Sequence, residues 1–261
     1  MSAAAAARRL LLAAGLPLVL LVLWWVASAD SQSFYLPPLR QILEAFASVW
    51  LGARLVDDVL PSVARLLTGF ALAGLAGVTL GVMVGSSPRL RAACEPVLEF
   101  LRAVPPPVLI PVIMLFAGIG DTMKVLVILA GCLWPVLLNT VEGVRGADEV
   151  LVDTGRSYRI TGWMRLRKLV LPGASPQIFT GARQSLAIAI ILMVISEMFY
   201  ADSGMGHTIV DAGREFNYSK VWSGVLLLGL LGVLLSLLFW LVESRALRWY
   251  HGFRAAERGS R

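Results

Sequence analysis

Residues 142–183 form a polar island between strongly apolar stretches, and this contrast constrains the chain more than any other feature. The island carries seven Lys or Arg, most of them between Asp153 and Pro172. A cation at the centre of a membrane helix costs about 3 kcal/mol even on a mild insertion scale. The island must therefore be extramembrane, and its basic excess places it on the cytoplasmic side. A connection of this length in a compact membrane protein points to function rather than linkage. Its pattern reads as helix–turn–helix: Asp148, Glu149 and Asp153 suit a helix N-terminal turn, Gly162 a turn, and Pro172 the entry of the next helix. A docking site is expected here.

The flanks set the class. Hydrophobic residues make up 57% of the 261 and charged residues only 15%, with mean hydropathy +0.76. Soluble domains sit near half apolar and a quarter charged, so this is an all-α integral membrane protein. It is long enough for five to seven spans of about 20 residues. The net charge of +6 does not point to nucleic acid, because the basic residues fall at the edges of apolar runs, where topology requires them. Cys94 and Cys132 give neither a disulfide framework nor a metal spacing and read as small buried residues.

In chain order, residues 1–29 begin with Arg8-Arg9, continue apolar from Leu10 to Val26 and end in the small-x-small triplet Ala27-Ser28-Ala29. That is the form of a signal peptide, yet the apolar run is long enough to cross; we read an uncleaved first span with the N-terminus inside. Residues 30–60 are extracytoplasmic, with Leu39, Ile42, Leu43, Phe46, Val49 and Trp50 at helical spacing on an amphipathic helix. A transmembrane core, residues 61–243, follows. In its first span Gly69, Ala73, Gly77 and Gly81 repeat every four positions, a small-residue face for close packing. Arg89, Arg91 and Arg102 return to the inside before Pro105, Pro106, Pro107 and Pro111 interrupt an apolar segment. Broken backbone at membrane depth is tolerated where it lines a cavity, so these prolines either mark a path or simply start a helix. Gly118 to Lys124 is an outer turn, and spans are expected over 125–138, 178–199 and 221–242. Glu197, ionisable in apolar surroundings, is either functional or an interfacial, hydrated carboxylate. The tail, 244–261, carries five Arg. The distribution of basic residues points one way at every crossing: six spans, both termini cytoplasmic.

The chain lacks a Gly-x4-Gly-Lys-Ser/Thr phosphate loop and a His-Glu-x-x-His motif, and its only histidines are His207 and His251. The Gly-x-Gly at 204–206 has no preceding strand and reads as a turn. Catalysis within the membrane is not expected.

Taken together, these residues resemble the permease subunits of ATP-binding-cassette importers, in the branch handling nitrate, taurine, aliphatic sulfonates and bicarbonate. The resemblance runs from Tyr35-Leu-Pro-Pro to Arg248-Trp-Tyr250. It rests on Leu101-Arg-Ala-Val-Pro-Pro106, Phe116-Ala-Gly-Ile-Gly120, Leu171-Pro-Gly-Ala-Ser-Pro-Gln-Ile178, Ser196-Glu-Met198 and Ser203-Gly-Met-Gly206. The family's cytoplasmic signature is Glu-Ala-Ala, then Gly four positions on, ending in Leu-Pro. Aligned on Leu171-Pro172, it puts Asp153-Thr154-Gly155 at Glu-Ala-Ala, with Arg156-Ser157 following. Arg159 stands where the family has glycine, and Gly162 supplies turn flexibility three residues later.

The resemblance implies a six-span type I, MetI-like importer permease in the bacterial cell membrane. It implies a homodimer with a path at its interface, and a coupling helix in the island seated in a cytoplasmic ATPase pair that holds ATP and Mg. It also implies an extracytoplasmic binding protein that delivers a small anionic solute. The coupling loop is then Asp153, Gly155, Arg156, Ser157, Arg159, Gly162, Leu171 and Pro172, and the candidate path Arg102, Pro105, Pro107, Pro111, Met193 and Glu197. No cofactor or metal is expected on this chain. A secondary transporter driven by an ion gradient, or a scaffold binding another soluble partner through the island, remains the alternative; the former commonly shows inverted repeats and midplane polar sites.

Overall fold

The computed structural model describes the backbone of residues 3–146, 149–199 and 201–250, and the side chains of these apart from 3–14, 149, 151, 152 and 156. The side chains of Arg8, Arg9, Glu149 and Arg156, together with Asp148, His251 and the tail's Arg254, Arg258 and Arg261, lie outside the described residues.

Eleven helices run in order among the described residues: α1 (Ala3–Ser28), α2 (Leu39–Trp50), α3 (Leu60–Ser86), α4 (Pro88–Arg102), α5 (Ile110–Ala117), α6 (Asp121–Arg145), α7 (Glu149–Ser157), α8 (Gly162–Arg165), α9 (Leu171–Met198), α10 (Met205–Arg214) and α11 (Tyr218–Ala246). Among the described residues, four runs are long and apolar enough to cross a membrane: Leu55–Ser86, Asp121–Arg145, Gly162–Met198 and Tyr218–Ala246. A further crossing results if α4 and the segment Pro106–Ala117, which meet at 86°, act as one span, and the described part of α1 adds the shorter apolar helix Gly15–Ser28. The break falls at the expected prolines. Pro105, Pro106 and Pro107 have no amide hydrogen to donate, and Pro105 adopts ψ 124°.

Two spans begin before the sequence signals suggest. A π-helical turn, Leu55–Val59, precedes Leu60-Pro61, and a second, Leu166–Val170, precedes Leu171-Pro172. Each proline ring would crowd the carbonyl four residues back, and a widened turn accommodates it without stopping the helix. Pro172 is therefore inside a continuous helix rather than at its entry. The extramembrane island shrinks accordingly: a Cβ on Gly143 of α6 would lie 2.9 Å from Gln177 Cβ on α9. Both ends of 142–183 are packed helix, and α7 with its following turn forms the projecting middle.

The core is α3, α6 and α9 in contact. The small-residue face of α3 lets its backbone meet α6: a Cβ on Gly77 would sit 2.8 Å from Val136 Cβ, and one on Gly81 2.6 Å from Thr140 Cβ. α6 and α9 are joined by Ser185 Oγ donating to the Cys132 carbonyl at 2.7 Å. The amphipathic α2 lies against the bundle, burying Leu39, Ile42 and Trp50, and Trp50 Nε1 donates to Ser223 Oγ of α11 at 3.0 Å. Leu43, expected on the same face, is exposed. Ser28, inside the small-x-small triplet, is buried and accepts a hydrogen bond from the Leu39 amide. The leucines of residues 16–23 in α1 and one face of α11, including Leu230, Leu234, Leu237 and Leu241, stay exposed, the surface a lipid-facing helix presents.

Candidate functional site

Three parts of the fold carry functional candidates, and α9 connects them. The first is the projecting segment. α7 closes with Tyr158 N donating to the Thr154 carbonyl at 3.0 Å and Ile160 N to the Gly155 carbonyl at 2.8 Å. That closure needs a left-handed residue just past the helix, and Arg159 supplies it at φ 52°. Glycine is the residue that adopts this conformation without steric strain, so the family's glycine at this position has a physical reason. Gly162, at φ 55°, makes the second left-handed step as α8 begins. Gly155 is buried against Leu169 of the π turn, which fixes α7 to the run leading into α9. Ser157 Oγ donates to the Asp153 carbonyl, and the Asp153 side chain faces outward.

Val150, Tyr158, Trp163 and Met164 are also exposed there, with Trp163 at 71% and Tyr158 at 77%. Large apolar side chains exposed together on one segment mark an interaction surface. The sequence reading passed over them because it weighed the charges of the island and not its apolar residues.

The second part is a groove of about 510 Å3 between the proline break and the middle of α6 and α9. Arg102, Pro106, Pro107, Trp134, Asn139 and Gln184 line it. It unites Arg102 and Pro107 from the expected path. Pro105 and Pro111 are exposed away from it, while Met193 is fully buried in the core and Glu197 lies near the C-terminal end of α9. Arg102 pairs with Glu99 at 2.7 Å, so its charge is partly balanced on α4 itself. Asn139 Nδ2 donates to Gln184 Oε1 at 3.3 Å and to the Pro135 carbonyl at 2.8 Å. These two amides, on different spans, are polar groups the sequence reading missed; an Asn and a Gln inside apolar runs were the available signal.

The third part is a buried charged lock at the α10 end of the bundle. Glu197 is fully buried, not hydrated: it accepts from Arg65 Nη1 at 2.9 Å and from the Gly206 amide at 3.1 Å, with Ser62 Oγ 2.6 Å away. Arg65 Nε donates to Asp121 at 2.8 Å. Asp58 accepts from the Gly204 amide at 2.8 Å and from Arg54 and Thr208 Oγ1, each at 3.0 Å. Gly204 and Gly206 are therefore more than a turn. Gly204 sits at φ 123°, and a Cβ there would meet the Glu197 carboxylate at 2.5–2.7 Å. The Ser203–Gly206 motif is a backbone clasp that lays amides on two buried carboxylates and ties α10 to α3 and α9. The residues that build it are far apart in sequence, and a carboxylate buried without partners would be costly.

With this geometry in view, known proteins show what it belongs to. Residues 77–248 match the family described as "Binding-protein-dependent transport system inner membrane component". The chain belongs to that family. The permease is 30% identical over 240 residues to a Bacillus subtilis protein named SsuC for aliphatic sulfonate transport, covering 91% of this chain and 87% of that one. It is also 30% identical over 239 residues to the taurine transport system permease protein TauC of Escherichia coli, covering 89% and 87%. Among solved structures, an inward-facing form of the MetNI methionine ABC transporter superposes with TM-score 0.64 at 19% identity, over 76% of this permease and 96% of that chain. The likeness at that identity establishes a MetI-like fold. The permease is a multi-pass inner-membrane protein.

Proposed function

We propose that the permease is the membrane subunit of an ATP-driven importer for a small sulfonate- or taurine-like anion, and that it works as a homodimer with both termini cytoplasmic and six crossings per chain. The observation that supports this reading is the single helical run from Gly162 to Met198, 37 residues or about 55 Å long. Its inner end is bound to α7 through Gly155 and Leu169, and its outer end carries Glu197 of the lock. A cytoplasmic ATPase pair, holding ATP and Mg, grips α7 and the turn that follows it through Asp153, Tyr158 and Trp163. Closure of that pair moves α7, and a rigid helix transmits the movement to the outer end as a unit. The Arg102–Gln184 groove faces the second copy and contributes to the path. A binding protein delivers the anion to the face formed by α10 and the loops beside it.

The test is uptake into proteoliposomes containing the permease, its ATPase and its binding protein. Taurine or sulfonate uptake that requires ATP and all three components supports the reading. Uptake that persists without the ATPase and follows a proton or sodium gradient refutes it.

A further inference from the structure

At the end of the bundle that bears α7, a cleft of about 450 Å3 opens between the last turn of α3, the start of α4, the end of α6 and the π turn leading into α9. Arg91 of α4, Arg145 of α6, and Arg165 and Lys168 of the α8–π segment line it. Among the described residues, no carboxylate lines the cleft. Arg145 pairs with Glu142 at 2.8 Å; Arg91, Arg165 and Lys168 form no ion pair with a described residue. Beneath these cations the wall is apolar: Val144, Leu169, Val170 and Pro172. Trp249, half exposed, stands at the rim. Gly173 leaves the floor open, since a Cβ there would meet nothing within 4 Å.

We infer that this cleft holds the headgroup of an anionic phospholipid from the cytoplasmic leaflet. Unpaired cations at this density call for an anion, and the apolar wall calls for one attached to a hydrocarbon body. The depth fits as well. Gly85 and Val144, which are in contact across α3 and α6, belong to the last turns of spans, so the cleft opens where the helices leave hydrocarbon. An indole at the rim suits the headgroup layer. A soluble phosphate would satisfy the cations but leave the apolar wall wet. A bound lipid bridges Lys168 on the α9 run to Arg91 on α4, so it steadies the base of the helix that joins the projecting segment to the outer lock. The inference rests on the cytoplasmic placement of α7, while its test does not depend on transport.

The experiment counts lipids retained by the permease–ATPase complex in mild detergent, by native mass spectrometry, after incubation with phosphatidylglycerol, phosphatidylcholine or inorganic phosphate. Retention of phosphatidylglycerol but not phosphatidylcholine is expected. Each cation near a membrane surface is worth about fivefold in anionic-lipid affinity. The pair Arg91→Gln with Lys168→Gln should therefore weaken retention about 25-fold, and Gly173→Leu, which fills the cleft without changing charge, should abolish it. Arg167→Gln, on the same turn but outside the cleft, should leave it unchanged. Equal retention of both lipids, wild-type retention by the filled or neutralised variants, or displacement by millimolar inorganic phosphate would overturn the assignment. So would lipid bound to the permease alone and lost on ATPase assembly, which would make the cleft part of the ATPase interface. A complex that fails to transport yet shows the expected lipid counts would fault the importer reading and leave the cleft standing.

Discussion

Removing Glu197 tests whether the outer lock holds the bundle. In Glu197→Ala the Arg65 guanidinium, only 7% exposed, loses the carboxylate at 2.9 Å and keeps Asp121 at 2.8 Å. Stripping one partner from a buried pair costs about 3–5 kcal/mol. Asp121 is exposed and still balances part of the charge, which draws the value toward the lower end. The Gly206 amide also loses its acceptor, about 1 kcal/mol more. The expected loss is about 4 kcal/mol, and Glu197→Gln, which keeps an acceptor oxygen but no charge, should lose about 2 kcal/mol. Reversible unfolding in mixed micelles measures both. The double variant Arg65→Met with Glu197→Leu should recover most of the loss, because neither group is then left buried alone. A loss below about 1 kcal/mol for Glu197→Ala, or a double variant whose cost is the sum of its singles, would refute the claim that these residues act as one unit.

Other expectations are direct. Arg159→Gly relieves the left-handed strain at φ 52° and should stabilise the end of α7 by about 1 kcal/mol, slowing amide exchange at Tyr158 and Ile160 about fivefold. Asp153→Lys, Trp163→Ala and Gly162→Pro, the last imposing φ near −65° on a residue at +55°, should each reduce co-purification of the ATPase while the bundle keeps its unfolding midpoint; unchanged assembly and transport in all three would move the docking site elsewhere. Gly204→Ala should destabilise by about 3 kcal/mol from backbone strain and the clash with Glu197, whereas Gly173→Ala, which meets open space, should not. Gly81→Val should separate α3 from α6, read as lost protection of their amides, since its Cβ would fall on Thr140.

Much of the architecture is legible in the residues because its signals are local. Apolar runs of span length, the proline cluster at 105–107, the four-residue spacing of Gly69, Ala73, Gly77 and Gly81, and the basic excess around α7 each act over a turn or a span. They suffice for helices, for a close α3 face and for a projecting segment near Asp153. Pro172 misled because a π turn lets a helix run through a proline, and local sequence cannot say whether the widened turn will form. Leu43 was assigned inward by periodicity alone, yet which stripe of α2 is covered depends on where α11 lies.

What the chain itself determined is where it is apolar, where it is charged and where its backbone can come close; these are properties of neighbouring residues. Only the folded bundle decided what the buried charges do. Ser62 meets Glu197 across 135 residues and Asp58 meets Gly204 across 146, and the four cations of the cleft beside α7 converge from three separate stretches of helix. A lone glutamate in an apolar run has the same sequence whether it meets water, solute or an arginine. The partner sets its electrostatic free energy, and the packing of α3 against α9 chose the partner.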